Sequence, residues 1–205
     1  MAYEYDIFLS YKRHPEARQW LVEHFQPLLE FHVELELGHR VTVFRDDQDD
    51  EAGASWPAHL GRALGNSRTL VALWTRTYFH SEWCSRELST MLARERDERF
   101  RTAERPGGLI FPVVLHDCEQ LPRKLVPLHY VAMQECFQTR MARNSQTAEI
   151  LAQQIKDRLA PSVASAVKAA PRWRPSWPLK SATQLLNAIL RRRPPRQSQV
   201  PRHSR

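Results

Sequence analysis

Tyr5-Asp6-Ile7-Phe8-Leu9-Ser10-Tyr11-Lys12-Arg13 is the segment that decides the fold of this chain. Its middle is apolar and aromatic without regular polar alternation, which is typical of a strand buried on both faces of a parallel sheet. Two basic residues end the run, so we expect the strand to stop there. Four later segments predict further strands, the last of them weaker than the others: residues 41–44, 69–74, 109–115 and 130–133.

Segments of helical periodicity separate the predicted strands. The clearest covers residues 15–37, and Gly38 follows it at the position where a helix commonly ends in glycine. Further helices are predicted at residues 58–64, 82–99 and 148–159. Strands that alternate with helices indicate a three-layer α/β domain around a central parallel five-stranded sheet. Right-handed crossovers favour the flavodoxin-like strand order 2-1-3-4-5.

The positive charge of the chain is concentrated at its C-terminus. The formal net charge is +7, from 30 Lys and Arg against 23 Asp and Glu. Residues 171–205 contain nine basic residues and no acidic ones, which leaves residues 1–170 with 21 basic and 23 acidic residues, a net of −2. We therefore predict a folded domain over residues 1–160 and a basic, Pro- and Arg-rich tail over residues 161–205 that is poorly ordered by itself.

The cysteines and histidines argue for a reducing compartment and against a metal site. Cys84, Cys118 and Cys136 are widely spaced and form no Cys-x-x-Cys pair, which favours the cytoplasm and disfavours disulfides or zinc. The nine histidines show no ligand spacing, so we predict no metal site. No apolar run approaches the roughly 20 residues of a membrane span, and the chain opens on a strand rather than on a secretory signal.

Polar and aromatic residues gather where such a sheet binds its ligands. With the strand order 2-1-3-4-5, the crevice lies beyond the carboxyl ends of strands one and three. Residues 10–13 follow strand one, and residues 75–87 lead from strand three into a helix. On that helix Trp83 and Glu87 are one turn apart on the same face. An aromatic plate beside an anion suits a ligand that is flat and cationic at one end.

Three blocks in this order resemble the TIR (Toll/interleukin-1 receptor) domain, and the resemblance covers residues 5 to about 160. The blocks are residues 5–13, the sequence Val43-Phe44-Arg45-Asp46-Asp47 and the sequence Glu51-Ala52-Gly53. The helix with Trp83-x-x-x-Glu87 resembles the bacterial branch of the family that cleaves NAD. Adaptor and receptor members usually carry a Pro-Gly pair in the loop after the second strand, and this chain lacks the proline.

The resemblance implies an NAD⁺ glycohydrolase, or a cyclase that produces a cyclised ADP-ribose, with NAD⁺ as substrate and no cofactor. It assigns the catalytic role to Glu87. A carboxylate there would stabilise the positive charge that develops on the ribose as nicotinamide leaves. Nicotinamide is a cationic leaving group, so one carboxylate can suffice without a general acid. The absence of a Gly-x-Gly-x-x-Gly fingerprint argues against hydride transfer.

The remaining site candidates are expected to bind the substrate: Ser10, Tyr11, Lys12, Arg13, Gly53 and Trp83. Lys12 and Arg13 would pair with the pyrophosphate. Trp83 and either Tyr11 or Phe8 would supply stacking surface, and Gly53 would let its loop approach the ligand closely. Plainer interpretations stay open at this point. They are Trp83 or Phe8 as a core aromatic, Glu87 as a surface residue near a helix start and Cys84 as a small buried apolar residue.

The resemblance also implies activation by self-assembly. In a TIR–TIR homo-oligomer the loop of one copy would complete the crevice of the next, with a separate sensor protein as a possible trigger and a role in cell defence or signalling. The alternative is a non-catalytic TIR scaffold that mediates homotypic interactions. Three roles are open for the tail: contact with anionic membrane or nucleic acid, a solubilising extension, and docking to a partner.

Overall fold

A computed structural model describes residues 2–46, 58–116, 125, 128–175 and 177 of the chain. Its centre is one sheet of five parallel strands in the order β2-β1-β3-β4-β5. The strands are β1 (Tyr5–Tyr11), β2 (Val43–Arg45), β3 (Ser67–Trp74), β4 (Ile110–Val114) and β5 (Val131–Ala132). The predicted flavodoxin-like strand order is confirmed, and in this order β1 and β3 are the strands whose carboxyl ends border the predicted crevice.

Helices cover both faces of the sheet. They are α1 (Pro15–Trp20), α2 (Gln26–Leu37), α3 (Ala58–Gly65), α4 (Glu82–Asp97), α5 (Gln146–Gln154) and α6 (Ala160–Ala169). A π-helical turn, Leu21–Phe25, joins α1 to α2, and a second one, Ile155–Leu159, joins α5 to α6. The helix predicted at residues 15–37 is therefore continuous but locally widened and underwound by one π turn. It ends at Gly38, whose φ of 75° is left-handed, as expected for a C-terminal glycine.

Two hydrophobic layers fill the space between the sheet and the helices. Ile7 and Leu9 of β1 belong to the layer beneath α1, α2, α5 and α6, whereas Phe8 belongs to the layer beneath α3 and α4. All three side chains are at most 1% exposed. The central strand is thus buried on both faces, which confirms the interpretation of its unbroken apolar run. Phe8 stacks on Phe44 at 5.0 Å, so it is a core residue.

Charged residues buried on α4 hold this helix against the starts of β3 and β4. The guanidinium of Arg94 donates to the carbonyls of Ser67 and Leu64 at 2.7 and 3.2 Å. The carboxylate of Glu95 accepts two bonds from Arg101, and it accepts the backbone N–H groups of Leu109 and Ile110. Each charge therefore has several partners, as burial in the protein interior requires.

The folded part of the chain extends beyond the boundary expected at residue 160. The helix continues into α6, where Val163, Ala164 and Val167 are buried in the layer that also contains α2 residues. Apolar residues four positions apart face the core together, so this small-residue stretch packs as a helix instead of starting a tail. The boundary at residue 160 is thus too early.

Residues just after α6 also contact the domain. The Tyr3 hydroxyl donates to the carbonyl of Pro171 at 3.0 Å, and the Trp173 indole donates to Asn66 at 2.9 Å. Trp177 lies with its ring 4.6 Å from the Arg94 guanidinium carbon, while Arg174 pairs with Glu98 at 3.1 Å. Residues 171–175 and 177 thus lie against the amino ends of the strands. The rest of the expected tail, from residue 178, is outside the described residues.

The described helices include none that is both long and apolar enough to cross a membrane.

The contact between Trp177 and Arg94 generates a stability prediction for the full-length chain. We expect Trp177→Ala to lower the free energy of unfolding by about 1 kcal/mol, because a cation–π contact over a buried guanidinium is lost. For a domain of this size that corresponds to a fall of ~2–4 °C in the melting temperature. Arg172→Ala, which removes an exposed arginine of the same segment, is the control. Equal melting temperatures for the two variants would show that the segment does not stabilise the domain.

Candidate functional site

The candidate site lies at the carboxyl ends of β1 and β3. These strands pair in parallel, with Ser10 beside Ala72 and Tyr11 beside Leu73. A short 3-10 turn, Tyr78–His80, follows β3 and leads to Ser81, whose side chain accepts the backbone N–H of Cys84 and caps α4. This cap fixes where α4 begins, and it thereby directs Glu87, in the second turn, towards the end of β1.

Glu87 is buried and bonded to the end of β1. Its residue surface is 6% exposed, and the Ser10 hydroxyl donates to its carboxylate Oε2 at 2.5 Å. The predicted pair of β1 and α4 residues therefore meets in one place. Glu87 is not the exposed helix residue that the plainer interpretation describes, because its side chain points into the crevice.

Tyr78 is a site residue that the sequence analysis missed. Its side chain is fully buried, and its hydroxyl lies 2.8 Å from the Ser10 hydroxyl and 3.5 Å from the carbonyl oxygen of Cys84. A buried tyrosine hydroxyl needs a hydrogen-bond partner, so a tyrosine just ahead of a capped helix is a signal that could have pointed to this contact. Three side chains, Tyr78, Ser10 and Glu87, thus form one buried hydrogen-bonded chain.

Burial raises the pKa of Glu87 from 4.5 to about 8, the largest cause being loss of hydration of the charged form. The Asp46 carboxylate raises the pKa further, whereas the Ser10 hydrogen bond and the Arg13 guanidinium lower it. At neutral pH most of the carboxyl groups are therefore protonated in the empty site. A cation bound beside Glu87 would favour the charged form and draw the proton off.

A second cluster forms the rim of the site. Arg13 makes an ion pair with Asp46, and its guanidinium carbon lies 5.3 Å from the centre of the Trp83 ring. The Tyr11 hydroxyl donates to the Asp46 carbonyl at 3.4 Å, and His59 Nε2 is 3.8 Å from Asp46 Oδ1. Asp46, which was quoted as part of a motif but not as a site residue, is therefore the residue that joins the loops after β1 and β2.

The structure thus brings most of the predicted site residues together. Ser10, Tyr11, Arg13, Trp83 and Glu87 all lie in or at the edge of the crevice. Lys12, half-buried, lies near enough to the Cys84 thiol to lower its pKa, although burial raises that pKa more strongly. Gly53 is outside the described residues, so its expected role stays a prediction.

Two plainer interpretations gain detail from the geometry. Cys84 is 3% exposed and packs in the layer beneath α3 and α4. Trp83 is partly buried against the same layer while one side of its ring faces Arg13. Trp83 is therefore both a packing residue and part of the rim. Among the described residues no group of three or more His, Cys, Asp or Glu side chains could hold a metal ion.

The buried carboxyl group generates a prediction about stability and pH. The pKa of Glu87 is raised in the folded state, so its contribution to stability is full below about pH 4.5 and is lost as the pH rises through about 8. We expect Glu87→Gln to be more stable than the wild type at neutral pH. The difference should grow between about pH 5 and pH 8 to a few kcal/mol, since one pKa unit is worth about 1.4 kcal/mol.

Urea unfolding at a series of pH values measures this difference. Glu36→Gln, which changes an exposed glutamate at the end of α2, is the control and should show no comparable pH-dependent gain. A constant difference between Glu87→Gln and the wild type over this pH range would contradict the raised pKa.

One comparison with known protein families finds a match over most of the chain. A sequence model of the TIR domain matches residues 7–159. The disease resistance protein RUN1 of Vitis rotundifolia is 30% identical over 113 residues, which are 55% of this chain and 7% of that protein. The TMV resistance protein N of Nicotiana glutinosa is 29% identical over 86 residues, or 42% of this chain and 7% of that protein. This chain therefore matches only a small part of these relatives.

Two solved structures are similar at lower identity. The TIR domain of the Toll-related receptor TRR-2 from Hydra magnipapillata is 22% identical, with a TM-score of 0.44, and the match covers 62% of this chain and 83% of that one. The TIR domains of the activated Roq1 resistosome, which recognises the pathogen effector XopQ, are 18% identical with a TM-score of 0.38, and the match covers 91% and 98% of the two chains. Since the TIR family model spans most of the sequence, this chain belongs to the TIR domain family.

Proposed function

We propose that this TIR domain cleaves the bond between nicotinamide and ribose in NAD⁺, with Glu87 as the catalytic carboxylate. The observation that carries the proposal is a buried carboxyl group at the carboxyl ends of β1 and β3, where parallel α/β sheets bind their ligands. A group that is costly to bury and lies in a crevice is a candidate for function rather than for stability.

The chemistry of the bond fits a single carboxylate. The bond between the ribose C1′ and the nicotinamide nitrogen breaks, and its electron pair returns to the ring nitrogen, which becomes neutral. Positive charge then develops on the ribose, and a carboxylate beside it stabilises the transition state. Water adds to C1′ and loses a proton, giving ADP-ribose. In the cyclase variant a nitrogen of the same substrate's adenine takes the place of water.

The ionisation of Glu87 is coupled to the substrate. The nicotinamide ring carries a positive charge, so its binding beside Glu87 favours the carboxylate over the protonated form that burial favours in the empty site. The anion would thus form when the substrate is in place. A negative charge held near the ribose with little water around it has a larger effect than one in solvent.

The rim residues would hold the rest of the substrate. Arg13 carries a planar guanidinium that suits a pyrophosphate, and it already lies beside the Trp83 ring. Its ion pair with Asp46 would have to be exchanged for the phosphate oxygens. Lys12 follows Ser10 by two positions and would add a second cation. Opening of the Arg13–Asp46 pair is therefore a step that substrate binding, or assembly, has to drive.

We further propose that self-assembly activates the site. Glu87 is only 6% exposed in the single chain, so access to the carboxyl group requires the rim to move, and a second copy is a means of moving it. RUN1 is named a disease resistance protein and N a TMV resistance protein, and these names support a role in defence or signalling, which we place in the cytoplasm. A separate sensor protein would supply the trigger.

The closed crevice also favours one alternative, a scaffold without catalysis. A domain that only binds copies of itself has no need of an accessible carboxyl group, and Glu87 is nearly inaccessible here. Such a scaffold predicts no release of nicotinamide at any protein concentration, whereas the proposed enzyme should become more active per molecule as concentration rises.

The central prediction concerns Glu87. We expect Glu87→Gln and Glu87→Ala to lower nicotinamide release from NAD⁺ by at least about 100-fold, because the charge that stabilises the transition state is removed. Release is measured on concentrated protein under crowding, with product masses recorded beside it to distinguish linear from cyclised ADP-ribose. Glu82→Gln, which alters an exposed carboxylate on the same helix, should retain wild-type activity. Release that survives both substitutions of Glu87 would exclude it as the catalytic group.

A further prediction concerns the rim. We expect Arg13→Ala to raise the KM for NAD⁺ by about 10-fold with a smaller change in kcat, because a charge-assisted contact with the pyrophosphate would be lost in substrate and transition state alike. Arg143→Ala, at an exposed arginine before α5, is the matched control. If Arg13→Ala lowers kcat and leaves KM unchanged, the guanidinium acts on the reacting end of the substrate instead.

A further inference from the structure

Tyr78 is buried in a position that packing alone does not explain. It lies in the turn between β3 and α4, its side chain is fully enclosed, and its ring meets Phe79 edge-on at 5.3 Å. A phenylalanine would fill the same space without burying a hydroxyl. Burying a hydroxyl is costly unless it is hydrogen-bonded, so the partners of this group indicate what it does.

The hydroxyl of Tyr78 begins a series of hydrogen bonds that passes through Ser10 and ends at Glu87. It lies 2.8 Å from the Ser10 hydroxyl, which in turn lies 2.5 Å from Glu87 Oε2. A serine hydroxyl has one proton to donate and can accept at its oxygen. When Glu87 is ionised, the Ser10 hydroxyl has to donate its hydrogen bond to the carboxylate. Tyr78 then has to donate to Ser10, so all donors in the chain point towards the charge.

The direction of the chain reverses when Glu87 takes up a proton. The carboxylic acid can then donate to Ser10, and Ser10 to Tyr78, which leaves the tyrosine proton for the carbonyl of Cys84. That carbonyl is 3.5 Å away, so this contact adds little, and both arrangements keep the bonds between Glu87 and Ser10 and between Ser10 and Tyr78. In the ionised arrangement these two bonds point at a charge, and charge-assisted hydrogen bonds are about twice as strong as neutral ones, so the Tyr78 hydroxyl favours the carboxylate.

Other groups act on the same carboxyl from each neighbouring element. Arg13, after β1, favours the charged form, and Asp46, after β2, opposes it. The Cys84 thiol of α4 and the Tyr78 hydroxyl both have raised pKa values, chiefly through burial, so both stay protonated and neutral. Tyr78 is thus available as a donor over the whole range in which Glu87 titrates, while Arg13 and Asp46 act in opposite directions.

We propose that Tyr78 is a positioning residue of this site: acting through Ser10, its hydroxyl orients the Glu87 carboxyl group and holds it ready to ionise. The proposal rests on the proposed cleavage of NAD⁺, since it assigns Tyr78 a part in that reaction. Tyr78 itself touches no reacting atom, because Ser10 lies between it and Glu87.

The test compares Tyr78→Phe with the wild type in the full-length chain. Removing the hydroxyl removes a bond that favours the charged form, so the acidic limb of the pH profile of kcat/KM should move to higher pH by about one unit. On the alkaline side, where Glu87 is ionised in both proteins, the rates should agree within a few-fold. Tyr5→Phe is the control, because it deletes the hydroxyl of a partly buried tyrosine packed against the same core layer. It should leave the midpoint of the acidic limb of kcat/KM at its wild-type pH.

A second readout does not depend on activity. Difference infrared spectroscopy follows the carbonyl band of the protonated Glu87 carboxyl group, which is assigned by its loss in Glu87→Gln. Its midpoint should rise in Tyr78→Phe by the same amount as the kinetic limb. Ser10→Ala cuts the chain in the middle and should raise the midpoint at least as far, and adding Tyr78→Phe to it should cause no further shift.

The outcomes separate the two proposals. If the wild type releases nicotinamide but neither the limb nor the midpoint moves in Tyr78→Phe, the role of Tyr78 is wrong and the proposed function stands. A midpoint that moves without the kinetic limb also overturns the role of Tyr78, because the hydroxyl then affects the resting carboxyl group only. If the wild type releases no nicotinamide under any condition of assembly, the proposed function fails and the role of Tyr78 in it fails too.

Discussion

The parallel pairing of β1 with β3 is the constraint on which the fold and the candidate site both depend. It aligns Ser10 and Tyr11 with the end of β3, and it sets the distance that the chain must cover before α4 begins. Parallel strands require their connections on the faces of the sheet, so α4 has to pack back beside β3. The Ser81 cap fixes the start of that helix, and Glu87 then meets Ser10.

Helix α4 carries three buried charged residues, Glu87, Arg94 and Glu95, and they differ in how many hydrogen bonds their charged groups make. Glu95 accepts four hydrogen bonds, and Arg94 donates to two carbonyls beneath the Trp177 ring. Within the described part of the chain, the Glu87 carboxyl group receives one, from Ser10. Several hydrogen-bond partners make a buried charge a structural element. A carboxyl group left with one partner keeps its remaining acceptor capacity for a ligand, which is why Glu87 and not Glu95 is the candidate for chemistry.

The sequence predicted the strands and helix ends that depend on local pattern. It did not predict features that depend on contacts between residues distant in sequence. Unbroken apolar runs gave the strands, and the position of Gly38 gave a helix end, because both effects act within a few residues. Tyr78 was missed because its role depends on a hydroxyl of β1, 68 positions away. The boundary at residue 160 was set by composition, whereas Val163 and Val167 pack against α2, which is distant in sequence.

The rim shows why the chemistry of single residues was easier to predict than their pairing. Arg13 was expected to face a pyrophosphate, and in the empty site it is paired with Asp46 instead. An isolated guanidinium beside a half-buried aromatic ring would attract any nearby anion, and the loop after β2 supplies one. The same pairing places Asp46 where it raises the pKa of Glu87 while Arg13 lowers it. A ligand phosphate that takes Arg13 from Asp46 would replace one anion by another at the guanidinium. The rim pair and the buried carboxyl group therefore respond to the same ligand at its two ends, the phosphates at Arg13 and the cationic ring at Glu87.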